Sequence, residues 1–281
     1  MWGKINKLVH SQTVLSALIL SAIFISVVTV FGILIIDMTP SVRLTVFTIG
    51  QLVLSGTAVW LMRKLKVFDI NDFSLKGIGK GFLFAWFGFV YIAVSFFIVL
   101  MQIPENSFIA PNIFYLLIVV LHPIIGTGLF EEVLFRGLIL KILLKKTGHT
   151  KRGIINACVI SSVLFGLVHF VNILAGAPVL PTIAQIISAM ATGIFFAVVF
   201  VRTRKLWIPI FLHGLINLSV QIFDAIVSPN ALLQNADSQP EINIVGFIIS
   251  TLLETLPMLI AGFVLLRKVT PDEMEPRQGT G

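Results

Sequence analysis

The chain has 281 residues, of which 57% are hydrophobic and 12% are charged, and its mean hydropathy is +1.02. Soluble globular domains carry about 25% charged residues, so this composition excludes an ordinary water-soluble core and indicates a membrane protein. The net charge of +7 comes without a long basic run or a basic–aromatic patch. It therefore indicates basic cytoplasmic loops rather than a nucleic-acid partner.

The N-terminal segment superficially resembles a signal peptide, because Lys4 and Lys7 precede an apolar run. The uncharged run 11–36 is longer than the apolar core of a signal peptide, and no small-residue cleavage site follows it. We therefore interpret it as a retained first span. The single cysteine, Cys158, excludes an internal disulfide and a cysteine-based zinc site.

Eight apolar segments are long enough to cross a bilayer, whose hydrocarbon core of about 30 Å needs roughly 20 residues of helix. The long uncharged run 153–201 is divided at 175–181, where a glycine and two prolines favour a turn. The predicted spans are 11–36, 44–62, 81–104, 106–130, the two halves of 153–201, 206–223 and 242–266.

Basic residues in the connecting segments support this count. All Lys and Arg residues except Arg43 and Arg136 lie in alternate segments, namely the N-terminus, 63–80, 141–152, 202–205 and the C-terminus. Because cytoplasmic loops are enriched in Lys and Arg, the pattern predicts eight helices with both termini in the cytoplasm. We expect an all-α, polytopic helix bundle in the cell membrane that forms a single domain over 1–281. The segment 67–80 is predicted to form a short interfacial helix, and 224–241 an exposed polar loop.

Ionisable residues inside the predicted spans are candidates for function, because each costs roughly 2.5–3.5 kcal/mol to insert. These residues are His122, Glu131, Glu132, Arg136, His169, His213 and Glu254.

The fourth span contains the first candidate group. Glu132 and Arg136 are four residues apart and can form an ion pair on one helix face. Glu131 is rotated from them by roughly 100°, so its carboxylate remains available. An alternative is a helix end that enters the headgroup region with three ordinary interfacial charges.

Two further spans carry histidines. His213 and Asn217 are four residues apart on the seventh span and can face one cavity. His169 lies on the fifth span. A lone intramembrane histidine often makes only a helix–helix hydrogen bond, but two histidines, an asparagine and a double glutamate on three helices favour a shared site.

The ordered motifs Glu-Glu-x-x-x-Arg (131–136), Phe-x-x-x-His (165–169) and His-x-x-x-Asn (213–217) resemble those of one family. This is the CAAX-protease/bacteriocin-processing family (CPBP or Abi), which includes the type II CAAX prenyl endopeptidase, the Ras-converting enzyme. The resemblance covers roughly 115–220, the expected protease core. It implies an intramembrane endopeptidase that acts on a membrane-embedded or membrane-tethered peptide, with the site reached from the cytoplasmic side.

The resemblance also implies a role for each motif residue. Glu131 would activate water as a base, and His169 would help to hold that water. His213 and Asn217 would stabilise the oxyanion. The supporting residues would be Glu132, Arg136 and Phe165.

No cofactor is expected, but a zinc site remains an alternative. His169, His213 and Glu131 form a ligand set found in catalytic zinc sites. Against it, the sequence lacks the His-Glu-x-x-His pairing that places two ligands on one helix face, so we predict a site without metal.

Two other functions remain alternatives to this interpretation. The same fold could act without catalysis as a bacteriocin-immunity, receptor or scaffold protein, and buried Glu and His also relay protons in transporters. A transporter would be expected to have two repeated halves, which this sequence does not show. His122 is nine residues before Glu131 and is expected to be structural. Glu254 belongs to no family motif, and neither the substrate nor its prenylation follows from the sequence.

The predicted topology can be tested with reporter fusions. Fusions after Lys146 and Arg204 should report a cytoplasmic location, because they follow basic loops. Fusions near Asn106 and Gln234 should report the opposite side. If both groups report the same side, the eight-span arrangement is wrong.

Overall fold

The computed structural model describes residues 2–101, 109, 111–227 and 244–274. Over these residues the chain is all-helical and contains no β-sheet, as the apolar segments predicted. The helices, in chain order, are α1 (Trp2–Ser11), α2 (Thr13–Leu34), α3 (Pro40–Lys64), α4 (Ile78–Phe84), α5 (Trp86–Met101), α6 (Ile113–Thr147), α7 (Lys151–Leu174), α8 (Val179–Thr203), α9 (Trp207–Ile226) and α10 (Ile244–Leu266).

The described helices account for all eight predicted apolar segments. Six of them, α2, α3, α6, α7, α8 and α10, are long and apolar enough to cross a membrane. The pair α4 and α5 bends by 65° and gives a seventh candidate span if it is taken as one. The remaining segment, α9, is a shorter apolar helix. The protein is therefore a multi-pass integral membrane protein, whereas the count of eight crossings and the cytoplasmic termini stay predictions.

The break predicted at 175–181 is confirmed, because α7 ends at Leu174 and α8 begins at Val179. The polar loop predicted at 224–241 is only partly within the described residues. Its first residues continue α9 as far as Ile226, and 228–243 lie outside the described part of the chain.

The prediction of an interfacial helix over 67–80 is wrong. This segment forms a 3₁₀ turn (Ile70–Phe73) and then enters α4 at Ile78. Asp72 is fully buried and pairs with Lys141 and Arg204, so it is directed into the protein rather than into water. Burial raises the pKa of the Asp72 carboxyl above its ordinary value, although both cations act in the opposite direction. The ion pairs attach this segment to α6 and to the end of α8.

The middle of α6 forms the centre of the bundle. All eight residues from Val133 to Leu140 are buried, including Arg136. Helices α3, α7 and α8 pack around this stretch. The side chains of Glu132 and Arg136 are therefore enclosed by protein, which argues against the alternative of ordinary interfacial charges for this pair.

Backbone geometry brings α6 close to α9. Two π-helical stretches, His122–Gly128 and Val133–Leu140, flank a single α-helical turn that carries the glutamates. A Cβ added to Gly128 would lie 2.7 Å from the Pro123 carbonyl oxygen and 3.0 Å from that of Ile210. A Cβ added to Gly214 would lie 2.7 Å from the Ile124 Cα. The two helices thus approach at a distance that only glycine permits.

Candidate active site

A buried ion pair lies at the centre of the site. Arg136 Nη1 donates to Glu132 Oε1 over 2.8 Å, and neither side chain is exposed. This is the pair that the four-residue spacing predicted. Arg136 Nη2 also donates to the carbonyl oxygen of Gly193 on α8, over 3.2 Å. The guanidinium is therefore held by both a carboxylate and a backbone acceptor.

Two phenylalanines cover the guanidinium. The Arg136 Cζ atom lies 4.4 Å from the ring centroid of Phe165 and 5.5 Å from that of Phe196. Such cation–π contacts stabilise a cation that has been removed from water. Phe196 was missed by the sequence analysis, since it lies within a uniformly apolar run. Phe165 had been expected to support the site, and its ring centroid also lies 5.6 Å from those of His169 and His213.

His213 lies between the two glutamates. Its Nδ1 atom is 2.8 Å from Glu132 Oε1, and its Nε2 atom is 3.6 Å from Glu131 Oε2. The first distance is that of a hydrogen bond, and the second is longer than one. Because Arg136 pairs with the same Glu132 oxygen, the natural assignment is that Nδ1 donates its proton to Glu132. Nε2 is then directed toward Glu131.

Glu131 differs from Glu132 in having no Lys or Arg partner among the described residues; it lies beside the imidazole of His213. The Oε2 atom of Glu131 is buried and accepts no hydrogen bond from any described residue, and the same is true of Glu132 Oε2. The Glu131 side chain is 17% exposed, whereas that of Glu132 is 0% exposed. Glu132 is thus held by the ion pair through Oε1, whereas Glu131 has no Lys or Arg partner among the described residues.

His169 lies in a 3₁₀ turn (Val168–Phe170) near the end of α7. Its Nδ1 atom donates to the carbonyl oxygen of Phe165, over 3.1 Å. That contact fixes the tautomer in which Nε2 carries the lone pair, so this nitrogen can accept a hydrogen bond from water.

Two cavities border the site. The first has a volume of about 500 Å³ and lies between α7, α8, α9 and α10, with His169, His213 and Asn217 in its wall. The second has a volume of about 270 Å³ and is lined by both Glu131 and His169. Its polar lining also includes Gln51, Thr127 and Asn172. His169 therefore separates a large cavity from a small one that reaches Glu131.

Both cavities extend away from the basic loops. In the large cavity the wall of α9 runs from His213 to Gln221, and that of α8 begins at Pro181, far from the basic segment 202–205. The small cavity includes Ala175, at the end of α7 that is remote from Lys151. The described walls of both cavities thus lie toward the helix ends opposite the basic loops, and access from the cytoplasmic side stays a prediction.

The two remaining ionisable residues have different surroundings. His122 is buried and lines neither cavity. Its Nδ1 atom is 2.8 Å from the Thr48 hydroxyl, and its Nε2 atom is 3.4 Å from the hydroxyl of Thr127, which lines the small cavity. This agrees with the structural role expected for it. Glu254, to which the sequence analysis gave no role, lines the large cavity together with the site residues.

The histidines have the orientation that metal ligands commonly show, with Nδ1 engaged and Nε2 free. Among the described residues, however, no three His, Cys, Asp or Glu side chains are grouped closely enough to hold a metal ion. The geometry by itself therefore offers Glu131, His169 and His213 as proton acceptors and donors around a cavity.

These features define a class: a multi-pass integral membrane protein with a Glu–His site buried inside its helix bundle. Comparison with known proteins identifies the family that the site resembles. Residues 112–219 match the family model described as type II CAAX prenyl endopeptidase Rce1-like, which confirms the resemblance seen in the three motifs. All the motif residues from Glu131 to Asn217 lie within the matched segment.

A curated relative points in the same direction. The chain is 32% identical over 106 residues to a Bacillus subtilis (strain 168) protein named "Putative membrane peptidase YdiL". The aligned part covers 38% of this chain and 36% of the relative. The chain thus spans about a third of the length of the relative that it matches.

The buried ion pair predicts a large effect of removing one partner. Arg136→Met should lower the free energy of unfolding by about 3–5 kcal/mol, because it leaves the Glu132 carboxylate buried without its cation. Unfolding of the purified protein in mixed micelles would measure this change. Arg152→Met is the matched control, since Arg152 is exposed at the start of α7.

Adding Glu132→Leu to Arg136→Met should recover part of the lost stability, because the double variant buries no unpaired charge. Equal stabilities of Arg136→Met and Arg152→Met would show that the pair does not hold the bundle together.

Proposed function

We propose that the protein is a membrane-embedded endopeptidase that hydrolyses a peptide bond in a membrane-embedded or membrane-tethered substrate. The observation that carries this proposal is the free Glu131 carboxylate, which faces His213 and borders a cavity shared with His169. The match of 112–219 to the Rce1-like family and the peptidase name of the relative support the same reaction class.

Glu131 is the residue best suited to activate water. Glu132 is the weaker candidate, because Arg136 and His213 already bind its Oε1 atom and its side chain has no exposed surface. Glu131 has no Lys or Arg partner among the described residues and lines the small cavity, and a carboxylate in a water-poor site is a competent general base. A water molecule in the small cavity would donate one hydrogen bond to Glu131 and a second to Nε2 of His169.

The large cavity supplies donors for the oxyanion. The carboxamide of Asn217 lines it directly, and its N–H groups can donate to the carbonyl oxygen of a bound peptide. His213 can donate from Nε2 only as an imidazolium, since its Nδ1 proton is directed at Glu132. In that form both of its N–H groups would be engaged, one by Glu132 and one by the oxyanion.

The proposed reaction balances without a cofactor. Glu131 takes a proton from water, and the resulting hydroxide adds to the scissile carbonyl carbon. The tetrahedral intermediate places its negative charge on the carbonyl oxygen, facing Asn217 and His213. When the C–N bond breaks, the proton on Glu131 passes to the leaving amine, and the carboxylate is regenerated.

Water has a route that a bound peptide would not block. A peptide in the large cavity would cover His213 and Asn217 on that side of the site. The small cavity reaches Glu131 through a separate wall that includes Gln51 and Thr127, whose side chains hydrogen-bond to each other. The separation of the two cavities therefore supports simultaneous binding of peptide and water.

Substitutions at the site should separate chemistry from folding. Glu131→Ala, His169→Ala and His213→Ala should each abolish cleavage of a lipid-anchored test peptide. Asn217→Ala should retain residual activity, because loss of one oxyanion donor lowers the rate by about 10²–10³. Cleavage would be followed by mass spectrometry on protein reconstituted in liposomes.

His122→Ala is the control, since His122 is buried and lines neither cavity, although it contacts Thr127 in the wall of the small one. It should cleave at nearly the normal rate while losing stability, because it removes a buried hydrogen bond to Thr48. Full activity of Glu131→Ala would refute the proposed mechanism. If a host phenotype such as immunity survived in that variant, a non-catalytic receptor role would be supported instead.

We also propose that the reaction does not need a metal ion. The neighbour of His213 on its own helix face is Asn217, a carboxamide, which suits an oxyanion site better than a zinc site. Purified protein should contain well under one equivalent of zinc by elemental analysis and should keep its activity after prolonged chelation. Stoichiometric zinc that is lost and restored together with activity would instead assign Glu131, His169 and His213 as ligands.

A further inference from the structure

Glu254 is an acidic residue in the middle of an apolar helix. Helix α10 otherwise consists almost wholly of apolar, Ser, Thr and Gly residues, and Glu254 is its only charged side chain. No hydrogen bond or ion pair to the Glu254 carboxylate is formed by any residue that the structure describes. The hydroxyl of Tyr91 donates to the Glu254 backbone carbonyl over 3.0 Å. The Glu254 side chain itself is exposed. Because an ionisable group in the middle of a candidate membrane span is costly, such a side chain is a candidate for binding a ligand.

The position of Glu254 on α10 shows which way it faces. Phe247, Ser250, Thr251 and Glu254 all line the large cavity. Their spacing of three, four and seven residues places them on one face of a helix. The exposed side chains on the remaining faces are aliphatic, among them Ile248, Leu252, Leu253, Leu256 and Ile260. Glu254 therefore belongs to the cavity face rather than to the apolar faces.

The described residues of the opposing walls contribute polar groups and no carboxylate. Helix α8 presents Gln185, Ser188 and Thr192, and helix α9 presents His213, Asn217 and Gln221. Among the described residues that line the large cavity, Glu254 is the only acidic one. Within this described lining, the carboxylate thus lies on the wall formed by α10, opposite the proposed oxyanion site.

We propose that Glu254 is a specificity-determining residue that binds a cationic side chain of the substrate in the large cavity. This inference rests on the proposed function, since it assumes that the cavity holds the peptide. A Lys or Arg side chain, at a fixed number of residues from the scissile bond, would pair with the Glu254 carboxylate. The same geometry would disfavour a peptide that carries an acidic side chain at that position.

The test uses lipid-anchored peptides of alternating Ala and Leu in which one Lys is moved through successive positions. For each position, a matched peptide carries norleucine instead of Lys, and another carries Glu. The measured quantity is the ratio of kcat/KM values for the Lys and norleucine peptides. We expect wild-type protein to prefer Lys at one position, and Glu254→Gln to lower that ratio by about tenfold or more, because a desolvated ion pair is lost.

Charge reversal and a control make the result specific. Glu254→Lys should prefer the Glu peptide at the same position. Asp37→Asn removes one negative charge from an exposed loop between α2 and α3, outside the large cavity, and should leave the Lys/norleucine ratio unchanged. A ratio that is the same in wild type, Glu254→Gln and Glu254→Lys would overturn the inference.

Binding distinguishes failure of this inference from failure of the proposed function. Fluorescent forms of the same peptides would be titrated into Glu131→Gln protein with and without Glu254→Gln. If the wild-type protein cleaves no peptide, and Lys peptides nevertheless bind in a Glu254-dependent way, the enzymatic proposal fails and the specificity of the cavity stands. If peptides are cleaved in a Glu131-dependent way with no dependence on Glu254, only the specificity inference fails.

Discussion

The burial of the Arg136 charge is the constraint on which the rest of the site depends. A guanidinium with no exposed surface inside a membrane protein must be compensated by its neighbours, since burying an unpaired charge costs several kcal/mol. The compensation comes from three helices: Glu132 on α6 itself, Phe165 on α7, and Gly193 with Phe196 on α8. Because Glu132 Oε1 also binds His213, the fourth helix of the site, α9, is fixed by the same charge.

Part of this arrangement could be predicted from the sequence. Residues four apart lie on the same face of a helix, so the Glu132–Arg136 pair and the shared orientation of His213 and Asn217 follow from spacing alone. The apolar segments and the break at 175–181 follow from charge and proline positions. These features are local, and each depends only on the geometry of a single helix.

The features that could not be predicted depend on which helices become neighbours. Nothing in the sequence of α8 distinguishes Phe196 from the apolar residues around it, and the acceptor at Gly193 is a backbone carbonyl. The apolar side chains of 67–80 had indicated a helix on the membrane surface. Asp72 instead pairs with Lys141 and Arg204, which are remote in sequence, and that long-range contact determines the local structure. The close approach of α6 and α9 does have a local signal in the sequence, namely Gly128 and Gly214. That signal could not be interpreted without knowing which helix packs against each glycine.

The contrast between Glu131 and Glu132 shows how a helix produces two chemical roles from one residue type. Consecutive residues on a helix differ by roughly 100° in direction, so adjacent glutamates meet different neighbours. Glu132 is directed toward Arg136 and becomes part of the scaffold, whereas Glu131 lines the small cavity and has no Lys or Arg partner among the described residues. His213 contacts both, and it therefore links the orientation of the proposed base to the buried charge of the scaffold. A structural ion pair and a proposed catalytic carboxylate can therefore be adjacent in sequence, because the helix directs the two side chains to different neighbours.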